Sequence, residues 1–128
     1  MDPDRLVTTY LNALASADVA AVLSLFERSG QVHSPLYGTV PASEFYPGLF
    51  ADTARSTLHL RKTLHGDATV AFWFDFDWVL ADGTRLAPFT VVDVAELNDD
   101  GFITNLHIVY DTHPLRAVWE RQHAALAP

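Results

Sequence analysis

The segment "TVAFWFDFDWVLA", residues 69–81, decides the fold because its side chains change character at every second position. Its even positions from 72 to 78 hold three phenylalanines and Trp78, whereas Asp75 and Asp77 stand at odd positions. Successive side chains of a β-strand point to opposite faces of the sheet. The segment therefore predicts a long strand whose aromatic face packs on the core and whose carboxylates point outward.

Segments with a similar alternation lie on both sides of this strand. Further strands are predicted over 56–65, 84–98 and 102–111, with turns at Asp82-Gly83 and Asp99-Asp100-Gly101. Short turns between consecutive strands favour antiparallel pairing. The second half of the chain is therefore expected to form an antiparallel meander.

The first half of the chain has apolar residues at helical spacing instead. Helices are predicted over 3–15, 19–28 (with Phe26 on its inner face) and 39–53 (bent or broken at Pro47), a short strand over 31–34, and a last helix over 114–126. Helices followed by a meander indicate an α+β protein. We expect one domain, residues 1–128, in which a curved antiparallel sheet wraps around the N-terminal helices and leaves a conical pocket.

Composition excludes several classes of function. The formal net charge is −8, and the eight lysines and arginines are scattered, so nucleic-acid binding is not expected. Without cysteine there is neither a disulfide nor a thiolate metal site, and the six histidines lack ligand spacing, so no metal or cofactor is expected. No apolar run could span a membrane and no signal pattern opens the chain, which favours a cytoplasmic protein.

The strand "FTVVDVAELN", residues 89–98, carries an unusual aspartate. Parity places Asp93 with Phe89, Val91 and Ala95 on the more apolar face, where no basic residue is available. Burial disfavours the charged form and raises the pKa of such a carboxyl group, which would then be held neutral and donate a hydrogen bond. Two alternatives stay open: a structural aspartate bonded to backbone or water, or a shift of parity that turns Asp93 to solvent.

Four segments, in this order, resemble the ketosteroid isomerases within the nuclear-transport-factor-2-like (NTF2-like) and SnoaL-like superfamily, which has a cystatin-like α+β barrel. They are "VTTYLNALASADVAAVLSLF" (7–26), "VHSP" (32–35), "GTVPASEFY" (38–46) and "VVDVAELNDDGFI" (91–103). The resemblance implies a cofactor-independent enzyme in which Tyr10 and a protonated Asp93 donate hydrogen bonds to an enolate, with Tyr46 supporting Tyr10. No single segment carries the resemblance alone.

The chain departs from these isomerases at the general base. The family has an aspartate before the first-strand proline, and this chain has Ser34, which cannot take a proton from carbon without activation. His33 is adjacent, but strand alternation points it to the opposite face. The loop after Pro35 is also shorter than in the isomerases.

These features predict an isomerase, cyclase or dehydratase that acts on a hydrophobic carbonyl compound. The alternatives are a non-catalytic binder of a hydrophobic ligand and a protein-interaction module of the NTF2-like type. The outer sheet face mixes apolar side chains such as Trp73 and Val109 with charges and is expected to form a homodimer, and His59 and His107 are expected to be cross-strand neighbours there. The predicted catalytic residues are Tyr10, Asp93, Tyr46 and Ser34, and the predicted substrate-binding residues are Phe26, Phe45, Phe74, Trp78, Phe89, Leu106, Ile108 and Tyr110.

Overall fold

The computed structural model describes residues 2–126, which form four helices and a curved, unclosed sheet of six strands. The predicted α+β class is confirmed. In chain order the elements are α1 (Pro3–Ala15), α2 (Val19–Leu23), β1 (Phe26–Ser34), β2 (Gly38–Pro41), α3 (Ala42–Ala51), β3 (Thr53–Gly66), β4 (Thr69–Leu80), β5 (Phe89–Leu97), β6 (Ile103–Val109) and α4 (His113–Leu126).

The sheet has the strand order β2-β1-β6-β5-β4-β3. The meander β3–β6 is antiparallel, as predicted, but β1 pairs with β6 in parallel. The chain reaches β3 from β2 through α3, which carries it from one edge of the sheet to the other. The predicted antiparallel arrangement therefore holds for four of the five strand pairs and is wrong for β1–β6, because alternation along a strand does not encode its partner.

The largest correction concerns the residues after α2. Phe26 was expected on a helix and instead begins β1, where it pairs with Ile103 of β6. Gly30, just beyond the end of the helix predicted over 19–28, lies in β1 beside a register shift. A Cβ atom there would stand 2.8 Å from Cδ2 of Phe26 and 3.0 Å from the carbonyl oxygen of Ile103. Pairing with β6 has thus overridden the helical spacing of the apolar residues.

Two further boundaries differ from the sequence-based expectation. Residues 39–41 belong to β2, where Val40 pairs with Val32, so α3 begins only at Ala42 and continues past Pro47 to Ala51. The strand expected from residue 84 begins at Phe89, and its first part makes only an isolated bridge between Val79 and Arg85. In both cases the pattern of apolar residues gave the element but not its first residue.

The long strand β4 has the predicted faces. Phe72, Phe74 and Trp78 are buried against the helices, whereas on the outer face the carboxylates of Asp75 and Asp77 form salt bridges with arginines. Helix α1 begins at Pro3 with Asp2 as its N-cap and buries the predicted face, and α4 buries Leu115. None of the described helices is long and apolar enough to cross a membrane.

The histidines on the outer face have different neighbours from those predicted. His59 lies on β3 and His107 on β6, with β4 and β5 between them, so the two are not cross-strand neighbours. His107 stacks instead on His33, with ring centroids 4.5 Å apart. The prediction failed for the same reason that the parallel β1–β6 pair was missed: strand parity predicts the face on which a side chain lies but not which strand is its neighbour.

Candidate functional site

A cavity opens between the inner face of the sheet and helices α1 and α3. The space available to the centre of a water molecule is about 40 Å³, which is enough for a few waters. Its walls are mostly aromatic and aliphatic: Tyr10, Leu14, Ser34, Tyr37, Phe45, Leu49, Phe74, Phe76, Trp78, Val91, Asp93, Ile108 and Tyr110 line it.

Asp93 points into this cavity from the middle of β5. It is 1 % exposed, and it lies between Phe72 of β4 and Ile108 of β6 in the ladder. Its Oδ1 atom is buried without a hydrogen-bond partner among the residues that the structure describes. Burial alone raises the pKa of this carboxyl well above its usual range. The inward parity is therefore confirmed, and the alternative of a solvent-facing carboxyl is wrong.

The two predicted tyrosines lie together beside Asp93. The hydroxyl oxygens of Tyr10 and Tyr46 are 2.9 Å apart, and both side chains are buried. Burial raises the pKa of each phenol well above its usual range. Tyr10 lines the cavity, whereas Tyr46 stands behind it. If Tyr46 donates to Tyr10, the hydroxyl proton of Tyr10 is directed into the cavity, beside the carboxyl of Asp93.

Ser34 also lines the cavity, at the end of β1. Its Oγ atom accepts hydrogen bonds from the backbone N–H groups of Leu36 and Tyr37, at 3.2 and 3.1 Å. These bonds hold the turn around Pro35, a common role for serine. The serine is where the resemblance places it, and its contacts are those of a turn residue rather than of an activated nucleophile.

His33 cannot replace the missing base from where it stands. It lies on the outer face, with Nδ1 3.0 Å from Oγ1 of Thr39 and Nε2 2.9 Å from Oδ1 of Asn105. The sequence-based expectation that it points away from the pocket is therefore confirmed.

The cavity includes five of the eight predicted substrate-binding residues and omits the other three. Phe26 packs against Tyr46 behind the wall, Phe89 packs against Phe76 and Tyr110, and Leu106 is wholly buried. Parity identified the inner face correctly but could not say which inward side chains fill the core and which reach the opening. The residues that do line it are Phe45, Phe74, Trp78, Ile108 and Tyr110.

Sequence reasoning missed a polar group of the cavity wall, Tyr37. Its hydroxyl donates to Oδ2 of Asp52 at 2.5 Å and accepts from Nε1 of Trp119 at 3.3 Å. Nε2 of His123 is 2.9 Å from the same Asp52 oxygen. These residues lie far apart in the chain and meet only where α4 packs beside Tyr37 and the end of α3, so no local sequence pattern predicts the contact.

No family model and no curated protein matches the sequence. Solved structures do match it. An NTF2-like protein of unknown function from Cytophaga hutchinsonii ATCC 33406 is 20% identical, with 90% of this chain and 95% of that chain covered and a TM-score of 0.71. A hypothetical protein with a ketosteroid isomerase-like fold from Catenulispora acidiphila DSM 44928, in complex with trimethylamine, is 15% identical, with 91% and 92% covered and a TM-score of 0.78.

A third similar structure is AclR, a putative hydroxylase from Streptomyces galilaeus. It is 13% identical, with 93% of this chain and 81% of that chain covered and a TM-score of 0.74. At such identities the likeness is one of fold, and fold alone does not fix function. The chain therefore has the fold of the NTF2-like, ketosteroid isomerase-like proteins, as its sequence predicted.

Proposed function

We propose that this protein is a cofactor-independent enzyme of the ketosteroid isomerase or SnoaL-like type that acts on a small hydrophobic carbonyl compound. The observation that carries the proposal is the Oδ1 atom of Asp93, which is buried at the cavity without a hydrogen-bond partner within residues 2–126. An unpaired buried polar atom costs about 1–3 kcal/mol of folding free energy. We therefore expect Asp93 to form a hydrogen bond with a ligand through this atom.

The chemistry would proceed on a carbonyl oxygen placed between Asp93 and Tyr10. The protonated carboxyl and the phenol each donate a hydrogen bond to that oxygen. When a proton leaves the adjacent carbon, negative charge moves to the oxygen, and donors already in place in a dry site stabilise it. Tyr46 holds the hydroxyl of Tyr10 at 2.9 Å and thereby fixes its direction.

The shape of the cavity supports a compact and apolar substrate. Its free space of about 40 Å³ holds a few waters, so a ligand the size of a ring would have to displace wall side chains. The walls offer aromatic faces and few polar groups, which is typical of pockets for hydrophobic small molecules. Isomerase, cyclase and dehydratase reactions all begin from such a carbonyl complex.

A non-catalytic binding protein would use the same donors to orient its ligand. That alternative stays open because Ser34 stands where the isomerases have their catalytic base. An open cavity with convergent donors gives less support to a protein-interaction module. A further candidate ligand follows from the walls themselves: aromatic faces around a carboxylate would hold a small ammonium ion if Asp93 were ionised. One similar structure was obtained in complex with trimethylamine.

Titration calorimetry with phenol and with trimethylammonium separates these alternatives. Phenol resembles an enol and accepts hydrogen bonds, so a neutral Asp93 should bind it and should not bind the cation. Asp93→Leu should weaken phenol binding by about 5- to 150-fold, equivalent to about 1–3 kcal/mol. Asp77→Asn, on the outer face, is the matched control and should bind phenol like the natural chain. Unchanged phenol affinity in Asp93→Leu, or binding of the cation in preference to phenol, would contradict the proposal.

A further inference from the structure

Tyr37, which lines the cavity, belongs to a second polar cluster. The Tyr37 hydroxyl donates to Oδ2 of Asp52 at 2.5 Å, and Nε2 of His123 lies 2.9 Å from that oxygen. Tyr37 lines the cavity, Asp52 is 7 % exposed, and the His123 side chain is 46 % exposed. The three side chains thus form a continuous hydrogen-bonded path from the cavity to solvent.

Asp52 occupies a position that ordinary helix chemistry does not favour for a carboxylate. It is the C-cap residue of α3, where the helix dipole repels negative charge. Its carboxylate is compensated by the Tyr37 hydroxyl and by His123 in the tautomer that carries hydrogen on Nε2. The carboxylate is therefore stabilised at this position by Tyr37, which lines the cavity, and by His123.

Docking of α4 does not by itself account for this path. Gln122 already anchors the helix, since its Nε2 donates to the carbonyl oxygen of Asp52 at 3.2 Å and its Oε1 accepts from the N–H of Asp82 at 2.8 Å. Leu115 of the same helix is buried in the core. A helix held in these two ways does not require a tyrosine hydroxyl in the cavity wall.

We propose that Tyr37 and Asp52 together form the proton acceptor of the cavity and act as the general base that Ser34 cannot provide. This rests on the proposed function, because the acceptor is useful only if Asp93 and Tyr10 hold a carbonyl compound. Tyr37 is the member that touches the substrate, and His123 and Trp119 are positioning residues that fix Asp52 and the phenol.

The proton transfer balances without any further reactant. The oxygen of Tyr37 accepts the proton from the carbon next to the carbonyl group while its own proton moves to Oδ2 of Asp52. The electron pair of the broken C–H bond becomes the enolate, whose oxygen is held by Asp93 and Tyr10. Tyr37 ends as a neutral phenol and Asp52 as a neutral acid, and the reverse transfer returns the proton to the same or to another carbon.

The phenol of Tyr37 is suited to relay a proton rather than to act as a phenolate. Burial and the hydrogen bond to Asp52 raise its pKa above the ordinary range for tyrosine. It therefore stays protonated, and the group that finally holds the extra proton is the carboxylate behind it.

Two assays on one probe test the proposal: conversion of cyclohex-3-en-1-one to its conjugated isomer, and exchange of its α-hydrogens in D₂O. The unmodified protein should catalyse both. Tyr37→Phe and Asp52→Asn should each lower the rates by about 100-fold or more, the usual worth of a positioned acid–base group. Asp77→Asn, the same change of residue type on the outer face, should leave the rates unchanged.

Phenol affinity distinguishes the loss of the acceptor from the loss of the pocket. Tyr37→Phe keeps the aromatic ring that packs on Phe45 and Trp119, so the variant should bind phenol within about threefold of the natural chain. Ser34→Asp in the Tyr37→Phe background should restore exchange, because it supplies a carboxylate on the same wall.

Three outcomes would overturn the relay. They are full activity in Tyr37→Phe, full activity in a folded Asp52→Asn variant, and no exchange in an unmodified protein that binds phenol through Asp93. In each of them the proposed carbonyl site can still stand. Failure of the unmodified protein to bind phenol would instead refute the proposed function, and the relay with it. Should Asp52→Asn fail to fold, the conservative Tyr37→Phe variant decides alone.

Discussion

Replacing Asp93 by leucine should stabilise the fold and weaken ligand binding at the same time. The carboxyl is 1 % exposed and its Oδ1 atom has no partner among the described residues, so its burial is an uncompensated cost. Removing an unsatisfied buried group of this kind is worth about 1–3 kcal/mol. Leucine is bulkier than aspartate, and its added methyl groups extend toward the apolar walls of the adjoining cavity.

The size of the effect depends on pH in a defined direction. The pKa of Asp93 is raised in the folded state, so above about pH 4 the folded protein keeps a proton that the unfolded chain releases. The free energy of unfolding of the natural chain therefore falls as pH rises, by up to about 1.4 kcal/mol per pH unit, until Asp93 itself ionises. The advantage of Asp93→Leu should be about 1–3 kcal/mol near pH 4 and larger at neutral pH.

Urea denaturation at two pH values, together with phenol calorimetry, measures both effects. In a domain of this size each kcal/mol corresponds to a change of about 2–8 °C in Tm, so thermal melting gives a second readout. Asp93→Asn is the matched control, because it keeps a buried polar group of the same shape, and removing the titratable proton should also remove most of the pH dependence. If Asp93→Leu unfolds more easily than the natural chain, Asp93 is a satisfied structural residue and the reasoning is refuted.

Three further predictions concern other parts of the molecule. Gly30→Ala should destabilise the fold by about 1–3 kcal/mol in chemical denaturation, because its Cβ would meet Phe26 Cδ2 at 2.8 Å. Gly48→Ala is the control: its Cβ meets nothing within 4 Å, and it should stabilise α3 by about 0.5–1 kcal/mol. Equal effects of the two substitutions would refute this account of the β1–β6 packing. Ser34→Asp should raise isomerisation of a β,γ-unsaturated ketone, and the gain should vanish when Asp93→Leu is added, because the two groups act on one transition state; a gain that survives Asp93→Leu would count against the oxyanion site. Val109 is 58% exposed on the outer face, so Val109→Arg should convert the predicted homodimer to a monomer in sedimentation velocity, and a natural chain that sediments as a monomer would refute the dimer.

The inner face of the sheet could be read from the sequence because strand alternation has a fixed period. Asp93 stands two residues from Val91 and from Ala95, and its direction followed from theirs. The meeting of Tyr10 with Tyr46 was implied by the resemblance, since the two residues lie on separate helices. The direction of Asp93 thus followed from a local pattern, whereas the contact between the tyrosines followed from the resemblance alone.

The remaining parts of the site depend on contacts that no local pattern encodes. The parallel pairing of β1 with β6 turned Phe26 from a helix into a strand and brought His33 to His107. Tyr37 and Asp52 are joined because the turn after β1 lies against the end of α3, where His123 of α4 also reaches Asp52. Such convergence depends on packing between elements distant in the chain, which periodicity does not describe.

The protonation state of Asp93 is the central claim, and carbon NMR of its side-chain carboxyl measures it directly. The account predicts that the Asp93 signal stays that of a carboxylic acid at neutral pH and persists when phenol is added. Asp77, on the outer face beside Arg85, has its pKa lowered by that guanidinium and serves as the internal reference for an ionised carboxylate. An Asp93 signal that titrates near pH 4, like that of an ordinary aspartate, would contradict the account.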